Sequence, residues 1–257
     1  MTNGTDTKVK KRNGSIELLN LDKVHKMTEE ACEGLGSGVS ASQIEMNSGL
    51  QFFDGISTSD IQEILIRSAS DLIDIDHPNY QFAAARLLLF SLRKQVFGSE
   101  WVKGHPHILD HAEKCVERGI YDGEILGKYT TEEWDKINSW IDHSRDFLFT
   151  YAGLRQVADK YLVQDRSSGK VYETPQYMYI MIAATLFRNY DGGKRLDYVR
   201  RYYDAISKHR INIPTPIMAG VRTPLRQFAS CVLVDVDDTL DSIFSSDMAI
   251  GYFVAQR

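Results

Sequence analysis

Nothing in this sequence supports a disulfide scaffold, a zinc ribbon, an export signal or a membrane span. The cysteines are few: Cys32, Cys115 and Cys231, spaced 83 and 116 residues apart without a CxxC pair. That pattern excludes a metal ribbon and a small stapled fold, and an odd number of thiols implies a reducing, cytoplasmic setting. The start, MTNGTDTKVKKRNGS, is polar and has no apolar segment of the kind a signal peptide needs. The longest apolar run, YMYIMIAATLF at 177–187, is about half a membrane span and reads as a buried helix. No charge of one sign dominates, since 30 Lys and Arg face 35 Asp and Glu for a net −5. Bulk charge therefore offers no argument for nucleic acid, although a few local lysines can still hold a small anion. A Gly-rich phosphate loop, internal repeats and low-complexity tracts are also missing.

What is present is an ordinary globular composition, 43% hydrophobic over 257 residues. That length suits one large domain or a small one beside a medium one. KVKKRNGSIELL at 8–19 predicts a hairpin with a two-residue turn at Asn13-Gly14. Asn20 is the expected cap of a helix carrying Leu21, Val24, Ala31 and Leu35. SASQIEM predicts a short helix. Ser59 and Gln62 stand in capping-box register before a longer one. After His77-Pro78, NYQFAAARLLLFSLRKQVFG is apolar on nearly every side and predicts the central helix of a bundle. The loop that follows sets a boundary near residue 98. Beyond it, one helical stripe holds Trp134, Ile137 and Ile141, and another holds Leu196, Val199, Tyr203 and Ile206. A hairpin turned at Ser168-Gly169 lies between them. ASCVLVDV at 229–236 is the strongest strand pattern, and a helix capped by Asp237 or Asp238 follows, with Leu240, Ile243, Phe244 and Met248 on one face.

Three groups of residues carry candidate chemistry. Thr215 lies between Pro214 and Pro216, which hold the backbone extended. It is either a pre-positioned hydroxyl or part of a rigid connection. Cys231, after Ala229 and Ser230, is either a small core residue or a reactive thiol, and a redox role requires a second thiol within bonding reach. Lys10, Lys11 and Arg12, with Lys23 at a helix start and Lys94 near a helix end, are either solvated surface cations or a triphosphate site aided by a helix dipole.

Several stretches then point to one family. KKRNGS with LNLDKVHK, DGISTSDIQEILIRSASDLI and PNYQFAAARLLLFSLRK resemble the ATP-cone, a nucleotide-sensing module. INIPTPIMAGVRTPLRQFASCVLVDVDDTLDSI resembles the start of the catalytic barrel in the large subunit of class I ribonucleotide reductase, and the likeness runs from about residue 8 to the end. The fold it implies is α+β: an ATP-cone of β-hairpin and helical bundle over 1–98, then over 99–257 the mostly helical first part of an incomplete ten-stranded α/β barrel.

The resemblance also implies roles. Cys231 matches the barrel cysteine that, with a second thiol, supplies the electrons for removing the ribose 2′-hydroxyl. Thr215 and Ser230 match substrate contacts. Asp238, Thr239 and Leu240 match the start of the helix binding the specificity effector, a deoxynucleoside triphosphate at a dimer interface. Lys11, Glu17, Leu18, Leu19, Asn20, Leu21, Asp22, Lys23, Thr58 and Lys94 match the site for ATP or dATP. Gln62 stands where dATP-inhibited relatives commonly carry His or Asp, and Ser91 replaces a histidine. Nucleotide binding is therefore expected with dATP inhibition weak or absent.

The implied reaction is reduction of ribonucleoside diphosphates by thiyl-radical chemistry. No metal is expected in this chain, because the radical cofactor belongs to a small subunit. The remaining partners implied are the C-terminal part of the large subunit, a second copy of the completed subunit, and thioredoxin or glutaredoxin as reductant, with neither nucleic acid nor membrane. Since the radical-bearing thiol and the partner of Cys231 match nothing in these residues, the polypeptide alone is expected to be inactive. The alternative is a stand-alone ATP or dATP sensor carrying a degenerate barrel remnant.

Overall fold

The computed structural model describes residues 7–49, 52–98, 102, 104–165 and 167–255. Sequence readings that touch residues 1–6, 99–101, 103, 166 and the last two positions lie outside the described residues. Contacts within the chain divide it into two compact units, one of residues 1–105 with 142–176 and the other of 106–141 with 177–257.

In the first unit, β1 (Lys8–Lys10) pairs antiparallel with β2 (Ile16–Leu18), Lys10 opposite Ile16. The connection is a three-residue loop rather than the expected two-residue turn. Gly14 N–H donates to the Lys11 carbonyl at 2.9 Å, and Lys11 N–H donates to that of Ser15 at 2.8 Å. Gly14 takes φ +86°, a left-handed conformation that closes such a loop with a bulge and is costly for residues bearing a side chain. Asn20 caps α1 (Leu21–Cys32), its side-chain oxygen accepting from Lys23 N–H at 3.0 Å. Asp22 in the first turn complements the helix dipole.

After α2 (Ala41–Gly49), a two-residue strand β3 (Ile56–Ser57) runs parallel to β1 and completes a sheet of order β2-β1-β3. The expected capping box at Ser59 and Gln62 is corrected. Ser57 caps α3 (Thr58–Asp71) by accepting from Asp60 N–H, while Gln62 is buried. The chain enters the helix two residues earlier because β3 ends at Ser57.

α4 (Tyr80–Phe97) forms the middle of this unit, packing on α1, α3 and α7 (Tyr151–Gln156). Its Ala83–Ala85 and Leu87–Phe90 are buried, as an all-round apolar helix requires. The stretch 142–176 adds a 3₁₀ turn at His143–Leu148 and a short hairpin of β4 (Gln164–Asp165) and β5 (Lys170–Val171). Gly169 at φ +68° lies in that hairpin's turn.

The second unit is helical. α5 (Ile108–Glu117) packs on α6 (Thr131–Ser139), which packs on α9 (Gly192–Ser207). Thr130 and Glu133 close a capping box on α6. Trp134 and Ile137 on α6, and Val199, Tyr203 and Ile206 on α9, are buried stripes of these two helices. α8 (Pro175–Phe187) is buried from Tyr177 through Ala184.

Three expectations change here. Residues 229–236 form no strand, because no described residue offers them a ladder partner, and Leu233 is fully exposed. Thr215 is the first residue of α10 (Thr215–Gly220) rather than extended, while Pro214 keeps an extended ψ of 142° just before it. α11 (Leu240–Ala255) begins on Thr239, whose hydroxyl accepts from Ser242 N–H at 3.2 Å, and neither Asp237 nor Asp238 takes that role. The chain is thus mostly helical with few strands among the described residues, and no described helix is long and apolar enough to cross a membrane.

Candidate functional site

A small, open cleft of about 120 Å³ lies in the first unit between the hairpin and the starts of two helices. The sheet contributes Val9 and Lys11 from β1 and its turn, with Glu17 and Leu19 from β2 and just beyond. α1 contributes Asn20, Lys23, Val24 and Met27, which recur at helical spacing on one face. α3 supplies Thr58, Ile61 and Gln62, and α4 supplies Lys94. The lining therefore combines three lysines with apolar Val9, Leu19, Val24, Met27 and Ile61. The N-terminal turns of α1 and α3 bring backbone N–H groups and helix dipoles toward the same space.

The electrostatics of the cleft favour an anion. Lys11 Nζ lies 2.7 Å from Glu17 Oε1. Glu17 is held below the usual carboxylate range by its hydrogen bond from Lys11, with Lys23 and Lys94 acting in the same direction. Burial lowers the Lys94 ammonium from its ordinary value, and repulsion from Arg12, Lys11 and Lys23 lowers it further against the pull of Glu17. Arg12 itself reaches Ser91, Nη2 to Oγ at 3.4 Å. A ligand with several negative charges relieves this crowding, since each new pair offsets a repulsion already present.

Seven of the residues singled out from sequence, Lys11, Glu17, Leu19, Asn20, Lys23, Thr58 and Lys94, line this one cleft. Leu18, Leu21 and Asp22 do not, the two leucines being more than half exposed. Val9, Val24, Met27 and Ile61 were not singled out. For Val24, Met27 and Ile61 the signal is their i, i+4 or i, i+3 relation to Asn20, Lys23 and Thr58; Val9 lies on β1, two residues before Lys11. Gln62 is held by its Nε2 donating to the Leu87 carbonyl at 3.3 Å, with Met27 Sδ at 3.7 Å.

The other predicted residues lie in the second unit. Cys231 is a free, exposed thiol, with Ser230 Oγ 3.9 Å from its sulfur. None of the three cysteines is in a disulfide: Cys115 is buried with its sulfur 3.6 Å from His111 Nε2, and burial pushes the half-buried Cys32 up to about 11. Thiolate access therefore decides reactivity. Limited maleimide treatment at pH 7 should label Cys231 first, with peptide mapping as the measurement. Labelling of Cys32 or Cys115 ahead of it would contradict the exposed position of Cys231. Thr215 is partly buried at the start of α10, while Asp238, Thr239 and Leu240 are exposed at the start of α11. Among the described residues no group of His, Cys, Asp or Glu is arranged to hold a metal ion.

Comparison with known proteins divides along the chain. Residues 7–95 match the ATP cone domain, and residues 147–226 match the ribonucleotide reductase all-alpha domain. The chain is 51% identical over 249 residues to ribonucleoside-diphosphate reductase 1 subunit alpha of Escherichia coli (strain K12), covering 97% of this chain and 32% of that protein. It is 50% identical over 249 residues to the subunit alpha of Haemophilus influenzae, with the same coverage. Identity to the subunit alpha of Enterobacteria phage T4 is 40% over 247 residues, 96% of this chain and 32% of that one. The chain thus spans about a third of the length of the curated relatives it matches.

Proposed function

The chain belongs with the alpha subunits of ribonucleoside-diphosphate reductase, homologous to their N-terminal part, and from that premise we propose that its first unit binds ATP or dATP as an allosteric effector in the lysine-lined cleft. The observation that carries this reading is the convergence of Lys11, Lys23 and Lys94 on one space bounded by two helix starts. The triphosphate pairs with the three lysines, and the nucleoside lies toward Val24, Met27 and Ile61. Residues 1–98 then constitute the ATP-cone domain. Isothermal titration calorimetry on the 257-residue polypeptide tests this: ATP should bind saturably, more weakly as salt screens the lysines. Absence of binding by both ATP and dATP removes the reading.

For the larger protein we assign reduction of ribonucleoside diphosphates to deoxyribonucleoside diphosphates. In that reaction Cys231 and a second thiol give up two electrons and become a disulfide, while the 2′-hydroxyl leaves as water. Thr215 and Ser230 contact the substrate. Asp238, Thr239 and Leu240 open a second effector site for a deoxynucleoside triphosphate at a homodimer interface. Residues 99–257 begin a ten-stranded barrel. The exposure of Leu233, Leu240 and Phe244 supports burial of this region by further protein. The activity requires the rest of the large subunit, a small radical-generating subunit and a thioredoxin-type reductant, so residues 1–257 alone reduce nothing. Gln62 and Ser91 favour weak dATP inhibition.

A further inference from the structure

Among the described residues that line the cleft, Glu17 is the single acid. Its carboxylate sits on Lys11 at 2.7 Å, at an edge strand where both side chains keep substantial contact with water. Resting on the reading of this cleft as a triphosphate site, we propose that Glu17 is a resident counter-ion that an incoming phosphate chain must displace from Lys11, so that it opposes binding and holds the affinity of the cleft down.

Three features carry the inference. The pair is built into the hairpin, because Lys11 directly follows β1 and Glu17 lies on β2, in a register that sets Lys10 opposite Ile16 and Val9 opposite Glu17. Lys11 is thus occupied before any ligand arrives. The electrostatic reach of Glu17 extends beyond Lys11, since Lys23 and Lys94 also act on it, and Glu17 in turn offsets the repulsion on Lys94. One carboxylate therefore serves as partial counter-ion to the whole lysine group. A phosphate oxygen seeking Lys11 must break a charge-assisted hydrogen bond and then share the cleft with a like charge. A partly exposed ion pair contributes little to folding, so this carboxylate costs affinity for anions without being needed for the hairpin. The functional consequence is that the cleft responds to nucleotide concentration over a higher range than its lysines alone would set.

The probe is inorganic tripolyphosphate, which carries the phosphate chain without base or ribose. Titrated calorimetrically into the 257-residue polypeptide, it should bind Glu17→Gln and Glu17→Ala about three- to tenfold more tightly than wild type. Circular dichroism should show both variants folded. In a Lys11→Gln background the gain from Glu17→Gln should vanish, because the competition acts through Lys11. Unchanged or weaker tripolyphosphate binding by both variants overturns the proposal, even if wild type binds ATP normally. That pattern, with ATP affinity falling in Glu17→Gln, would mean that the carboxylate accepts a hydrogen bond from the nucleoside instead. Failure of wild type to bind ATP or tripolyphosphate would remove this inference together with the effector reading.

Discussion

Arg93→Met is expected to lower the free energy of unfolding by about 3–5 kcal/mol at pH 7, because it strands a buried carboxylate without its counter-ion. Arg93 Nη2 donates to Asp146 Oδ2 at 3.1 Å and to the His143 carbonyl at 2.8 Å. Asp146 also accepts from Gln176 Nε2 at 2.8 Å, and its side chain has no contact with solvent. Burial pushes the Asp146 carboxyl up to about 6 from an ordinary 3.8, with Arg93 and Gln176 pulling it down.

An acid whose folded pKa is raised contributes stability that is complete below its unfolded pKa and is lost as pH rises through the folded one. Removing Arg93 raises the folded value further, so the deficit against wild type should shrink between pH 7 and pH 5. His105 and His143 stack with ring centroids 3.4 Å apart, and burial holds them neutral to about 4 and about 3. Both proteins lose stability as these imidazoles protonate in the unfolded chain below about 6.5, so that contribution largely cancels in the difference. Urea denaturation at pH 5, 6 and 7, followed by far-UV circular dichroism, measures the effect. Adding Asp146→Asn to Arg93→Met should recover much of the loss. A single variant as stable as wild type at pH 7 would refute the role of the pair.

One position along α4, Lys94→Met should act oppositely on stability and on binding. The ammonium it removes is desolvated and repelled by Arg12, Lys11 and Lys23, so the ligand-free protein should be at least as stable as wild type. ATP affinity should fall by about 2 kcal/mol, roughly thirtyfold, as a charge-assisted contact to phosphate disappears. The slope of affinity against salt should decrease with it, since fewer cations remain to be screened. Calorimetry with ATP at two salt concentrations, together with a thermal melt of the free protein, separates the two effects. Retention of wild-type affinity would take Lys94 out of the effector site.

Much of the local structure was legible because caps, turns and apolar periods act within a few residues. Asn20 and the all-round apolar α4 are examples, and the hairpin is another, although its loop holds three residues rather than two. Gln62 was misassigned for a physical reason: its spacing from Ser59 satisfies a capping box, yet the helix begins earlier on Ser57, leaving Gln62 to be buried against α4. β3 escaped notice because two residues carry no period. Residues 229–236 carry a strand pattern, but a ladder needs a neighbour that no pattern within the segment can supply. In the cleft, the cationic residues stood out by charge, whereas Val9, Val24, Met27 and Ile61 look like any other apolar helix or strand positions.

The order of residues by itself determined that a hairpin opens the chain, that Asn20 caps the helix after it and that α4 is buried on nearly every side, together with the likeness to a known family. Folding alone decided that Lys11, Lys23 and Lys94, separated by up to 83 positions in the chain, share one space with Glu17. It also decided that neighbouring Arg93 and Lys94 serve a buried carboxylate and an open cleft. Propensity and capping are properties of a few adjacent residues, whereas the meeting of charges depends on how whole helices pack.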